Sequence, residues 1–285
     1  MKVSIIIPTF NNLDYLKLIL QSIKINSEYE HEVIVHVNEG IDGTLDFIKK
    51  NKIKHSYSAK NIGLCSAVNI AAGLSTTDYI MYSHDDMFFC KNWDVILEKK
   101  IKDQKNNLFY LSGKTISDND INDNLKCGLT YDAFNKDSFQ EFCNNNSTPD
   151  LQGSHWAPHL VHKDIWDRVG GFSEEFNPGD GSDPDLCLKL WSIGVRVFIC
   201  IGNFKVYHFE SVTIRKSKLI KNNGTKKFLL KWGFNPRFFR KYYLKGENRD
   251  IYNGPLSDPN FTLQMFIDLS INKLKFYYYK IFNAN

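Results

Sequence analysis

A chain of 285 residues, 42% hydrophobic and 14% aromatic, can bury a sizeable core, and this favours one large domain with an appendage over two equal domains. The first apolar run, Val3 to Ile7, stops at Pro8 and is too short for a signal-peptide core; no 18-residue apolar window follows, so a cytoplasmic chain without a membrane span is expected. The net charge of +4 hides a split: residues 213–285 hold fifteen Lys or Arg against four Asp or Glu, a net +11, which leaves −7 on the first 212 residues. The expected organisation is an acidic body, 1–212, with a basic extension, 213–285. Six cysteines show no zinc-type spacing and read as reduced thiols, several of them buried.

In chain order, Lys2 to Ile7 reads as a buried strand, and Pro8-Thr9-Phe10-Asn11-Asn12 as a turn in which Asn12 caps a helix to about Ile25. His31 to Val37 is a second strand ending at Asn38-Glu39-Gly40. Asp42 starts a helix, Ile53 to Tyr57 is a short third strand, and Asn61 opens a helix of small and apolar residues to Leu74. Tyr79 to Tyr82 is a fourth apolar run that ends abruptly in Ser83-His84-Asp85-Asp86. Trp93 to Ile101 reads as a helix and Leu108 to Ser112 as a fifth strand. Strands and helices alternating at this spacing predict an α/β fold with a mainly parallel sheet.

Every early strand ends in polar residues, so one sheet edge carries Thr9, Asn11, Glu39 and Asp85-Asp86. Open α/β sheets bind ligands beyond the carboxyl ends of their strands. Two adjacent carboxylates repel, and a hard divalent cation held against a phosphate relieves that repulsion; a solvated turn is the competing reading. No GxGxxG follows the first strand and no GxxxxGK[ST] occurs, which argues against a dinucleotide Rossmann site and a P-loop.

Lys114 to Asp150 is rich in Asn and Asp and reads as an insertion or mobile loop. After it, Leu160-Val161-His162 is a short strand, and Asp164 caps a helical turn that stops at Gly170-Gly171. The loop Phe172 to Asp185 is acidic and bears glycines, and it runs into a helix over Leu186 to Ile193. Asp183, followed by Pro184 and Asp185, has the pattern of an N-cap, a role compatible with that of a catalytic base. Val195 to Cys200 and Phe204 to Tyr207 read as two strands, the second ending at His208. Basic helical segments are expected around Lys216 to Trp232 and Pro236 to Lys245. Beyond Pro259, Leu263, Phe266, Ile267, Ile271, Leu274, Tyr278, Ile281 and Phe282 share one helical face flanked by Lys273, Lys275 and Lys280. That face either packs on the body or attaches to a membrane interface. Nothing but the basic extension points to nucleic acid, and stacking motifs are missing, so no nucleic-acid partner is expected.

The ordered motifs resemble a known family. Val3-Ser4-Ile5-Ile6-Ile7-Pro8-Thr9-Phe10-Asn11, Asn38-Glu39-Gly40-Ile41-Asp42-Gly43-Thr44, and Asn61-Ile62-Gly63 with Ala67, Asn69 and Ala72-Gly73 are similar to the opening, acidic turn and N-x-G helix of family 2 glycosyltransferases. His84-Asp85-Asp86 stands at the DxD place, Gly170 to Phe176 resembles G-G-F-D-E-x-F, and Ser182 to Lys189 resembles E-D-x-D-L-x-x-R. The resemblance covers about residues 1–211. It implies the GT-A fold, a mixed Rossmann-like sheet flanked by helices, and inverting transfer of a sugar from a nucleotide-diphosphate donor to an acceptor hydroxyl. It places Pro8, Thr9, Asn11, Glu39, Asn61 and Asp85 around the nucleotide. Asp86, with Asp85 beside it and His208, would hold Mn²⁺ or Mg²⁺, and Asp183 would be the base. Two departures stand out: His84 replaces the first Asp of DxD, and Ser182 replaces the Glu before the base.

Trp156 offers either a sugar-stacking face or a core side chain, and Asp185 is a second acceptor-side candidate. UDP is the default nucleotide from Glu39, with GDP and dTDP open. The acceptor implied is a glycan, lipid-linked in one version because the extension is basic and amphipathic. A catalytically inactive binding module is the alternative. A sugar nucleotidyltransferase ranks lower, because Pro8 to Asn12 lacks the glycines and cation that grip triphosphate.

Overall fold

The computed structural model describes residues 1–119, 125–210 and 223–282. Nine strands form one sheet: β1 Ser4–Phe10, β2 Glu32–Asn38, β3 Lys54–Ser58, β4 Tyr79–Tyr82, β5 Met87–Phe89, β6 Phe109–Ile116, β7 Leu151–Gln152, β8 His159–His162 and β9 Val197–His208. The helices are α1 Leu13–Asn26, α2 Thr44–Lys50, α3 Leu64–Ala72, α4 Trp93–Lys102, α5 Lys136–Asn145, α6 Lys163–Val169, α7 Ser182–Ser192, α8 Gly224–Trp232, α9 Pro236–Phe239 and α10 Leu263–Phe282, with a π-helical turn at Arg240–Leu244 after α9.

The sheet order is β3-β2-β1-β4-β8-β6-β9-β5, with β7 on β9. The first four strands are parallel, as their alternation with helices predicts, and β8 then enters antiparallel to β4. Parallel strands are covered on both faces, and Ile5, Ile6, Ile7, Ile34, Val35 and Met81 are accordingly fully buried. The register sets Phe10 opposite Asn38 and Asn38 opposite Ser58, so the polar strand ends fall along one edge.

Four local expectations are corrected. The two strands expected around 195–207 are one, β9; where β6 passes from Gly113 to Lys114 its partner jumps from Ile201 to Lys205, and this bulge takes up the Gly202-Asn203 interruption. The stretch expected as a loop from Lys114 continues β6 to Ile116 and contains α5. Several of its apolar residues pack inward: Leu125, Cys127, Phe134 and Phe139 are buried, while Leu129 and Tyr131 stay exposed, and Asp118 accepts hydrogen bonds from the N–H groups of Cys127 (2.7 Å) and Gly128 (2.9 Å) and from the Tyr207 hydroxyl (2.8 Å). The cap of α6 is His162, whose ring accepts from Asp164 N–H, rather than Asp164. Helix α7 begins at Ser182 with left-handed Gly181 at its cap, so Asp183 lies within the first turn instead of capping it.

The extension is not a loose tail. Phe228, Phe239 and Leu244 are fully buried in the same apolar core as the sheet. The helical reading expected from Lys216 lies in part outside the described residues; α8 begins at Gly224. All six cysteines are free thiols, and Cys65, Cys90, Cys127 and Cys187 are buried.

Candidate active site

The strand ends build the first half of the site. Asn11, at the end of β1, has φ +48°, and Glu39, at the end of β2, has φ +61°. These left-handed residues turn both chains at the sheet edge and bring their side chains together. Asn11 donates to Glu39 Oε2 at 3.2 Å and accepts from the Ile41 N–H at 3.0 Å. Glu39 N–H is held in turn by the Ser58 carbonyl. Thr9 is buried with no hydrogen-bond partner for its Oγ1, and Pro8 is half-buried beside His36. Asn61 accepts from the Gly63 N–H at 2.9 Å and so shapes the entry to α3.

The second half lies where β4 ends. Ser83 N–H bonds the Ile6 carbonyl, the chain turns through His84-Asp85-Asp86, and it returns as β5 along β9. Met87 is paired with His208, and Phe209 N–H donates to the Asp86 carbonyl. This pairing brings together residues far apart in sequence. His208 Nε2 lies 3.2 Å from Asp86 Oδ1, and His84 Nδ1 lies 3.2 Å from His208 Nε2. Ligand atoms of His84, Asp86 and His208 all fall within 4.8 Å of one another.

The electrostatics suit a cation. Burial and the neighbouring His208 pull the His84 ring down to about 4, which leaves it neutral with one ring-nitrogen lone pair to donate. Burial also disfavours charged His208, but the Asp86 carboxylate more than offsets this and its pKa is raised. Burial pushes the Asp86 carboxyl up, and the two imidazoles bring it below its ordinary value. Two imidazoles and a carboxylate form a donor set that fits a divalent transition ion. The sequence had given His84 as a departure from DxD; the fold makes it a third candidate ligand. The signal available in the sequence was its two-residue spacing from Asp86.

Asp183 sits half-buried in the first turn of α7. Its Oδ1 is shielded from solvent and has no hydrogen-bond partner, and burial pushes its carboxyl up to about 7. Tyr82, buried at the end of β4, feels the charges of Asp183, Asp86 and Asp85, so the candidate base and the metal cluster flank one strand end. The loop before α7 is clamped to α3. Asn69 accepts from Phe172 N–H at 2.9 Å and donates to the Phe172 carbonyl at 2.8 Å; Asn177 accepts from Cys65 N–H at 2.9 Å.

The acceptor-side candidates separate. Trp156 is 54% exposed, with the His155 ring tilted against it at 4.1 Å between ring centroids, so it is not a core side chain. Asp185 is fully buried and its oxygens are engaged: Ser173 donates at 2.6 Å, Trp232 Nε1 at 2.8 Å, and Lys231 lies at 2.9 Å. It is an internal tie between α7 and α8 rather than a sugar contact. Ser182 is likewise interior, with its hydroxyl on the Gly179 carbonyl at 2.7 Å.

With this geometry established, the relatives can be set beside it. The family described as Glycosyl transferase family 2 matches residues 4–166. A hyaluronan synthase of Pasteurella multocida is 24% identical over 229 residues, 78% of this chain and 22% of that protein. An uncharacterized glycosyltransferase of Rickettsia bellii is 30% identical over 113 residues, 38% of this chain and 16% of that protein. The chain thus spans about a fifth of the length of these curated relatives. Among solved structures, S. aureus TarS 1-349 in complex with UDP superposes with a TM-score of 0.55 at 16% identity, over 81% of this chain and 71% of that one. GalNAc-T7 with UDP, GalNAc and Mn²⁺ gives 0.56 at 12% identity, over 81% of this chain and 47% of that one. The fold is that of the GT-A glycosyltransferases, and the chain belongs to glycosyl transferase family 2.

Proposed function

We propose that the protein moves a sugar from a UDP-sugar to an acceptor hydroxyl with inversion at the anomeric carbon, and that the acceptor is a surface glycan or a lipid-linked glycan. The observation that carries the mechanism is the half-buried carboxylate of Asp183, its Oδ1 shielded and unpartnered, beside a strand end that also bears the His84–Asp86–His208 cluster. Asp183 takes the acceptor's proton. The freed oxygen attacks the anomeric carbon as the bond to the diphosphate breaks, and the nucleoside diphosphate leaves with the bonding pair. One carboxylate suffices, because a single displacement inverts the centre and water is not the attacking group. Asp86, His208 and His84 would hold a divalent ion, which when bound would supply charge stabilisation for the departing diphosphate.

Asn11 and Glu39 hold the nucleoside end, with Pro8, Thr9, Asn61 and Asp85 around it, and Trp156 gives a sugar ring an aromatic face. UDP is favoured by Glu39, and the solved neighbours include complexes with UDP and UDP-GlcNAc. The hyaluronan synthase relative supports a polysaccharide product. The nitrogen-rich donor set favours Mn²⁺ over Mg²⁺, since imidazole suits transition metals and Mg²⁺ prefers oxygen. Free thiols suit a reducing, cytoplasmic setting.

Titration calorimetry with UDP, GDP and dTDP, each with Mn²⁺, with Mg²⁺ and without metal, tests the reading. UDP binding that is strengthened more by Mn²⁺ than by Mg²⁺ and lost in Asp86→Ala is the expected result. His84→Asp should narrow the gap between the two metals. A folded protein that binds no nucleotide overturns the proposal and leaves a non-catalytic module.

A further inference from the structure

Helix α10 is oriented opposite to what its sequence suggests for a soluble protein. It docks through a narrow, mixed face: Met265 and Asn272 are buried, Asp268 takes Lys241 at 2.8 Å and the Tyr242 hydroxyl at 2.6 Å, and Asn272 Oδ1 accepts from the Asn235 N–H at 2.9 Å. At about 100° per residue these positions define one side of the helix. The apolar stripe lies on the other. Leu263, Phe266, Ile267, Ile271, Leu274, Tyr278, Ile281 and Phe282 are all exposed, Leu274 at 72% and Phe282 at 70%. An apolar helix face turned to water in a folded chain marks an interaction surface.

We infer that α10 lies in the plane of an anionic lipid bilayer, its outward stripe inserted at the acyl boundary and its lysines on the headgroups. Charge complementarity selects this occupant. Lys273, Lys275 and Lys280 fall at the margins of the stripe, on the angular borders between the apolar and the docked faces. The helix's one acid, Asp268, is on the docked face and already neutralised by Lys241. A second copy of the chain would bring lysine margins against lysine margins with no acid to pair them. The stripe is also wider than the two-position seam of a coiled coil. Lipid phosphates meet those lysines, whose stems reach outward from an embedded helix, and Tyr277 and Tyr278 suit the headgroup level. Among the described residues no helix is long and apolar enough to cross a membrane, so the helix lies on the bilayer rather than through it.

Vesicle co-sedimentation of the full chain tests this independently of any transferase activity. Vesicles of phosphatidylcholine with about 30% phosphatidylglycerol should bind the chain, while pure phosphatidylcholine and high salt should weaken binding severalfold. Leu274→Glu with Ile281→Glu, two exposed changes that should leave the melting temperature unaltered, should lower partitioning at least about tenfold. Replacing Lys273, Lys275 and Lys280 with Gln should remove the preference for anionic lipid. Unchanged partitioning in the double-Glu variant overturns the inference. So does a wild-type chain that ignores vesicles and forms a dimer, by light scattering, that the double-Glu variant abolishes.

Discussion

Asp183 combines two properties rarely stable together: a carboxyl oxygen, Oδ1, shielded from water and no donor to hold its charge. Its pKa is about 7 in the fold against an ordinary 3.8. Between those values the native chain keeps a proton that the unfolded chain has released, so wild-type stability falls as pH rises from about 4 to about 7. An amide carries no such charge. Asp183→Asn is therefore expected to melt higher than wild type at pH 8, by roughly 5 °C, and at the same temperature near pH 4. The same variant should lose transfer activity by about 10²–10⁴-fold while binding UDP normally. Wild-type kcat should climb with pH through about 7, as the base becomes free to accept a proton. A variant that melts lower at pH 8 and keeps its activity would remove Asp183 from the role of base. Asp185, two residues on, shows why identity alone does not assign such roles: its oxygens are spent on Ser173, Trp232 and Lys231. The local motif singles out Asp183 as the base, but that Asp185 is spent inside the fold comes from α8, more than forty residues downstream.

At the level of elements, the parallel half of the sheet was legible because each strand is a short apolar run ending in polar residues, and that pattern also located the site edge. The second half was less so. Strand β9 looked broken at Gly202-Asn203 because a bulge's partner shift has no signature in one strand alone. Helix α5 was hidden in a polar segment whose few apolar residues carry all the packing. The start of α7 was displaced by two residues because Gly181, rather than Asp183, takes the cap position, in a left-handed conformation. The site was legible as a set of residues and not as contacts: His84 joins Asp86 and His208 only because β5 doubles back along β9. The helix motif around Asn69 carries a different meaning from nucleotide contact. Asn69 clamps Phe172 by both its N–H and its carbonyl, and Gly171, at φ +59°, leaves no room for a Cβ against the Asn69 amide. Removing this clamp strands two backbone groups. Asn69→Ala should cost about 2 kcal/mol of stability, read by urea denaturation, and should lower kcat more than nucleotide affinity, since the loop it anchors leads to Asp183. Equal losses in both would mean the clamp supports the whole site rather than the loop.

For the whole molecule, the charge split suggests a separable basic extension, while the packing argues for one cooperative body. Lys231 bridges Glu175 at 2.7 Å and Asp185 at 2.9 Å, which ties α8 to the loop and helix that present Asp183. Trp191 of α7 meets the rings of Phe239 and Tyr243 edge-on. Further along, the extension pairs with the sheet side of the body: Gln152 N–H bonds the Asp250 carbonyl, Tyr252 N–H the Asp150 carbonyl and Leu256 N–H the Arg196 carbonyl. A chain ending at residue 210 would expose the apolar flank of α7 and leave Asp185 without Lys231 or Trp232. A buried carboxylate left with only Ser173 and the more distant Lys189 costs on the order of kcal/mol, a sizeable share of the net stability of a domain. The 1–210 chain is therefore expected to bind hydrophobic dye and to lose the sharp thermal transition of the full chain. By the same reasoning, Asp185→Ala in the full chain should lower the melting temperature, whereas the double-Glu variant of α10 should not. If the shortened chain melts as sharply and as high as the whole, the extension is an appendage, and Asp183 is positioned by the body alone.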